Sequence, residues 1–108
     1  MNMLERRSVK RIPVTYRCSF GSVSLGKHEG SICDLAMKGC RLESPVPVRM
    51  NTYFELWLQV SPTAPRILVE LATVRWGLDR QLGIEFLALR PEHKAKLKEI
   101  LEWPSSSG

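Results

Sequence analysis

Two clusters in this chain bring together side chains that can do chemistry. The first is Glu5-Arg6-Arg7-Ser8-Val9-Lys10-Arg11, which packs four cations into six positions just ahead of the first strand-like stretch. Residues 1 to 20 hold five Lys or Arg against one acid, so nearly all of the net charge of +5 sits on one short arm. A guanidinium is a planar fork of donors that matches phosphate oxygens or the O6/N7 edge of guanine, which suits Arg7 and Arg11 to gripping a nucleotide. A solvated basic arm is the plainer alternative, and composition taken alone favours it. The second cluster is Asp34-Leu35-Ala36-Met37-Lys38-Gly39, a polar turn in which an acid opens and a glycine supplies the backbone freedom to close.

Other chemistry is missing from the pattern. The sequence has no nucleophile paired with a base, no carboxylate dyad, no phosphate-cradling glycine loop and no metal-ligand spacing, so no enzymatic activity is expected. Cys18, Cys33 and Cys40 are an odd set without a C-x-x-C pair, which predicts buried, reduced thiols rather than disulfides or a zinc ribbon. His28 with Cys33 and Cys40 fits no common ligand spacing. His93 falls in a predicted helix without an evident partner.

The elements that must position the two clusters follow from hydrophobic period. Ile12, Val14, Tyr16, Cys18 and Phe20 alternate with Pro13, Thr15, Arg17 and Ser19, a strand with one wet face that continues directly from the arm. Pro13 near its start implies a position where a missing donor is tolerated. Gly21, Gly26 and Gly30, with Ser22 to Leu25 alternating between the first two, mark a turn and a second strand whose limits the pattern does not fix and which runs on to Ile32 or Cys33. The six-residue polar turn then leads to Cys40 and Leu42 alternating with Arg41 and Glu43. Ser44-Pro45-Val46-Pro47-Val48 is a connection. From Tyr53 to Val60, Phe54, Leu56, Leu58 and Val60 share one face, and Trp57 on the other face is expected to pack under a loop or helix.

Ile67 to Trp76 is a long strand whose alternation slips. Ile67, Val69 and Leu71 share one parity while Ala72, Val74 and Trp76 share the other, so a bulge near Leu71 is predicted. Gly77-Leu78-Asp79-Arg80 turns the chain into Leu82 to Phe86. Six short strands in succession predict a closed or nearly closed antiparallel β-barrel. The period then changes. Pro91 at a first helical position, with Leu97, Ile100 and Leu101 on one side, predicts a C-terminal α-helix lying across the barrel and stopped at Trp103 by Pro104.

Hydrophobic content of 44 % and charged content of 25 % are ordinary for a globular chain of 108 residues. The predicted organisation is a basic arm over residues 1–11, one barrel-plus-helix domain over 12–103 and a frayed tail over 104–108. No apolar run approaches the ~18 residues of a membrane span, and Met1 to Glu5 lacks the apolar core of a secretory signal, so membrane insertion is not expected and cytoplasmic residence is the default expectation.

These residues together resemble the PilZ domain family. Arg7-Ser8-Val9-Lys10-Arg11 is similar to the family's R-x-x-x-R arm, preceded by Arg6, and Asp34 to Gly39 is similar to its D/N-x-S-x-x-G motif at all but one position. Val74-Arg75-Trp76 and Leu82 to Leu87 look like its late strands, so the likeness covers nearly the whole chain. The resemblance implies a mainly β fold, a six-stranded antiparallel barrel with a C-terminal helix, that binds the bacterial second messenger cyclic di-GMP without any other cofactor. It implies that Arg6, Arg7 and Arg11 grip phosphates and guanine, that Asp34 accepts from the guanine edge or orients an arginine, and that Gly39 lets the backbone close on the ligand. Ala36 stands where the family has serine. The lost hydroxyl bond is worth about 0.5–1.5 kcal/mol, or about 3 with a charged partner, which weakens binding from a few-fold to roughly a hundredfold.

The implied function is a receptor that passes the second-messenger level to a protein partner when the arginine arm closes on the barrel. A divergent domain that has lost the ligand and serves as a protein adaptor in pilus or flagellar control is the alternative that Ala36 favours. Binding of a nucleic-acid polymer by a small basic barrel ranks third, because the few aromatics fall mostly at core parities.

Overall fold

The structure is a computed structural model that describes residues 11–107, with side chains through Glu102. Six strands and one helix follow in order: β1 (Arg11–Ser22), β2 (Gly26–Ala36), β3 (Gly39–Glu43), β4 (Tyr53–Gln59), β5 (Ile67–Leu78), β6 (Gln81–Ala88) and α1 (Pro91–Ser107). The strands close into an antiparallel barrel in the order β1-β2-β3-β6-β5-β4. Closure follows from alternation. Every strand sends one parity inward, and Phe20, Ile32, Leu35, Leu42, Leu56, Leu58, Val69, Val74 and Leu82 fill the interior with almost no exposed surface. Leu97 and Leu101 of α1 join the same core, so the helix lies against the barrel.

Bulges correct the count where alternation slips. The one predicted near Leu71 is present, since Phe54 and Leu56 of β4 face Ala72 and Val69 of β5. A second, at Arg75, was not foreseen: Val74 pairs with Ile84 but Trp76 pairs with Gly83. It turns Trp76 outward, against the core parity that the sequence suggests, and leaves it 46 % exposed. β1 carries a bulge between Pro13 and Tyr16, and β2 carries one at Cys33. Pro13 pairs with β2 alone, because β4 reaches β1 only over Arg17 to Gly21.

Several local expectations are revised. Val23 to Leu25 is turn: the Leu25 amide donates to Ser22 Oγ at 3.0 Å, and Gly26 takes a φ of 80° that only glycine adopts freely. β2 continues through Asp34, Leu35 and Ala36, so the six-residue turn shrinks to Met37-Lys38. His93 has a partner, since its Nδ1 accepts from the Leu68 amide at 3.1 Å and ties α1 to β5. Trp57 lies under the β4–β5 loop, as expected, with the Arg66 guanidinium 5.3 Å from the ring centroid. The helix assignment continues to Ser107, past Pro104, although Pro104 has no amide to offer the preceding turn. Among the described residues no helix is long and apolar enough to cross a membrane.

All three cysteines are free. Cys18 and Cys40 are buried, and Cys33 is half-buried on the outer face. Burial pushes the Cys18 thiol up to about 12, with Glu29 adding to the rise and the Gly30 amide opposing it; burial likewise raises Cys40. A raised folded-state value means that these thiols add stability that is complete below the ordinary thiol value of 9.0 and is lost as pH climbs above it. The urea midpoint is therefore expected to fall between pH 9 and 12, and to fall less in Cys18→Ala. A midpoint equally pH-sensitive in both proteins would show that the Cys18 thiol plays no part.

Candidate functional site

The outward-facing residues of β2, β3 and β6 build a continuous surface in register. Arg11, the first residue of β1, faces Ala36 across the ladder, and Ala36 faces Gly39, which faces Glu85. The neighbouring row runs Pro13, Asp34, Arg41, Gly83 and Trp76. The Cys33 bulge sets this order: it lets Ile32 and Leu35 both enter the core while Asp34 and Arg41 face out together.

Within that surface the two predicted clusters meet. Arg11 Nε lies 3.5 Å from Asp34 Oδ1, with the side chains 47 % and 25 % exposed. An ion pair so open to water contributes only about 0–1 kcal/mol, so it orients the two groups at little cost to an incoming ligand. Arg41 supplies a second cation that the sequence reading passed over. Its Nε donates to Cys33 Sγ at 3.3 Å, and that thiol donates to the Arg41 carbonyl at 3.6 Å, which holds the guanidinium beside Asp34. Arg6 and Arg7 lie outside the described residues.

Trp76 completes the row. A Cβ at Gly83 would collide with the indole's Nε1, Cε2 and Cδ1, so the ring lies flat across the Gly83 backbone. Glycine is required there by close approach. The outer edge of the indole stays open to solvent beside Arg41, and Arg75 next to it is paired with Glu85. An aromatic plane, two guanidiniums and one carboxylate on a single face can hold a flat anionic ligand: stacking on the ring, charge-assisted bonds to phosphate, and an acceptor for base N–H groups. Among the described residues no three His, Cys, Asp or Glu converge as metal ligands.

Ala36 and Gly39 are both enclosed by the ladder. Ala36 is 2 % exposed and stands between Arg11 and Gly39, so a serine hydroxyl there would be buried in the ladder face. Gly39 does not use positive φ, which among the described glycines is confined to Gly26. Its lack of a side chain lets β3 approach β6, since a Cβ would run into the Ile84 carbonyl oxygen. Gly39→Ala is therefore expected to destabilise the fold by about 1–3 kcal/mol, lowering the melting temperature by roughly 4–8 °C per kcal/mol. An unchanged melting curve would remove the close-approach explanation.

The sequence profile of the PilZ domain matches residues 5–103. The chain belongs to the PilZ domain family. Among solved structures, the PilZ fold recurs in Escherichia coli YcgR in complex with c-di-GMP, at a TM-score of 0.73 and 16 % identity, over 94 % of this chain and 47 % of that one. It recurs in the Bacillus subtilis inhibitor of motility MotI/DgrA at 0.79 and 11 % identity, over 94 % and 52 %. The separate PilZ domain of E. coli YcgR with c-di-GMP aligns at 0.67 and 15 % identity, over 94 % and 93 %. The chain thus spans about half the length of the first two. No curated protein matches it.

Proposed function

We propose that this PilZ chain is a non-enzymatic receptor for cyclic di-GMP that passes ligand occupancy to a protein partner, acting in the bacterial cytoplasm, through closure of the arginine arm on the barrel. The observation that carries this reading is the meeting of Arg11 with Asp34 on one outer face, beside Arg41 and the exposed Trp76 ring. The ligand is a dianion with two flat purines. Arg6 and Arg7 would bring further guanidiniums from the arm onto its phosphates, while Arg11, already placed at the edge of β1, takes phosphate or the guanine O6/N7 edge.

Asp34 then accepts from guanine N–H groups or keeps Arg11 aimed. Either role leaves its carboxylate close to a cation, which limits its repulsion of the phosphates. That cyclic di-GMP accompanies the two YcgR structures supports the ligand class. The decisive measurement is isothermal titration with cyclic di-GMP at physiological salt, with Arg7→Ala and GTP as controls. Saturable heat that vanishes in the variant and is absent for GTP supports the receptor; no heat at high micromolar ligand, confirmed by a second method, overturns it.

The adaptor reading has one observation behind it, the alanine at position 36 in place of the family's serine. Ala36→Ser is expected to tighten cyclic di-GMP binding by a few-fold, and at most by roughly a hundredfold, by restoring one hydrogen bond. Equal affinities for the two proteins would show that the hydroxyl has no bearing on the ligand.

A further inference from the structure

The strands alternate in direction around the barrel, so the β1–β2 turn, the β3–β4 connection and the β5–β6 turn share one end. Arg11, Ala36 and Gly39 lie at the opposite end, where β6 closes and α1 follows. The three most exposed large apolar residues among the described ones are Val23, Leu78 and Met50. Each falls in, or at the edge of, a different one of those three connections. Exposed Tyr53 opens β4 at the same end.

A single exposed aliphatic side chain needs no explanation, but one at every tip of one barrel end is a pattern. Connections are ordinarily polar. These tips are also fixed in place. The Leu25 amide bonds Ser22 Oγ within the first turn, the Ser44 amide donates to the Arg80 carbonyl at 2.8 Å, and the Asn51 amide donates to the Val74 carbonyl at 2.8 Å. Pro45 and Pro47 stiffen the long connection. Contact with a partner therefore orders little that is not ordered already.

Charge selects the occupant. Lys27, Arg49 and Arg80 border the tips, and so do Glu43 and Asp79, with Glu29 and Glu55 farther along β2 and β4. Three cations against four acids give an anionic lipid surface or a nucleic acid nothing to be drawn to. None of these charges enters the ion pairs among the described residues, which are Arg11–Asp34, Arg75–Glu85 and Arg90–Glu70. Unspent charges of both signs around apolar tips are complementary to themselves. A two-fold axis at this end sets it against the same end of another copy, so that acid meets base while the apolar tips lose water.

We propose that this end is the interface of a homodimer, in which a second copy of the chain seats on Val23, Met50, Tyr53 and Leu78. The pairing is independent of the receptor reading. Where both hold, the Arg11–Asp34 corners lie at the two far ends of the dimer, and each stays open to its own ligand.

Sedimentation equilibrium of the wild type, from micromolar to millimolar concentration, is expected to show a mass rising from 12.3 kDa toward twice that value. Val23→Lys and Leu78→Lys each enter a two-fold interface twice, so each should weaken the dimer by roughly tenfold or more by forcing an ammonium into apolar contact. Both side chains are exposed, and an unchanged circular dichroism spectrum checks that the variants fold. Arg80→Glu should also weaken the dimer, more at low salt than at high.

A wild type that stays at 12.3 kDa throughout overturns the proposal, and if that monomer sediments with phosphatidylglycerol vesicles the end belongs to a lipid surface instead. A dimer that both lysine variants form as tightly as the wild type overturns it too, by placing the contact on another face. An Arg80→Glu dimer of unchanged strength at low salt overturns the charge pairing that selects a second copy.

Discussion

Arg11→Ala is expected to weaken cyclic di-GMP binding by roughly ten- to a hundredfold, the factor that corresponds to losing about 1.5–3 kcal/mol from a charge-assisted hydrogen bond. Two effects act in the same direction. A guanidinium proposed to contact the dianion would be gone, and Asp34, which lies 3.5 Å from Arg11 Nε, would lose that cation and repel the ligand. The fold should scarcely notice, since the side chain is 47 % exposed and an ion pair of that kind contributes about 0–1 kcal/mol. Calorimetry beside thermal melts separates the two outcomes. Adding Asp34→Ala to Arg11→Ala discriminates between the roles of the carboxylate: partial recovery of affinity marks repulsion, and a further loss marks a direct bond to guanine. An unchanged dissociation constant in Arg11→Ala would end the claim that this corner holds the ligand.

Trp76→Ala is expected to cost about 1–3 kcal/mol of binding, five- to a hundredfold and somewhat beyond, which is the range for a base stacked on an aromatic ring. Gly83→Ala should reproduce much of that loss from beneath. Its methyl would occupy the space of the indole and lift the ring off β6, so ligand quenching of Trp76 fluorescence should shrink in parallel. Trp57 is already covered on one face by Arg66 and so serves as a steady background emitter. If Trp76→Ala binds as tightly as the wild type while its melting temperature drops, the indole is a lid over the Gly83 backbone and no ligand platform.

The barrel was legible because alternation survives over most of each strand: Phe54, Leu56 and Leu58, or Cys40 and Leu42, can be buried only if the strand has one inner face. Pro91 and the Leu97/Leu101 spacing likewise announce the helix. Bulges escape such reading unless they leave a double slip. The one near Leu71 does, since apolar residues change parity around it, but the one at Arg75 is followed by Trp76, whose hydrophobicity imitates a continued core parity. The interior glycine at 83, opposite that tryptophan, was the available clue to a close approach. Arg41 was overlooked for a different reason: it reads as an ordinary wet-face residue until the Cys33 bulge brings it alongside Asp34. Gly39 was assigned to turn flexibility because its real constraint, the Ile84 carbonyl of β6, lies far away in sequence.

The ring of strands also limits what such a barrel can offer to another chain. In the order β1-β2-β3-β6-β5-β4 each strand has a neighbour on both sides, so open ladder is confined to strand ends such as the start of β1, which β4 does not reach. A partner that arrives as an extended peptide therefore finds only short stretches on which to add a strand, and the same closure limits edge-to-edge aggregation. Over most of the wall, recognition has to be written in side chains, surface against surface. Exchange of those surfaces between related barrels would transplant partner choice without disturbing the sheet that carries it.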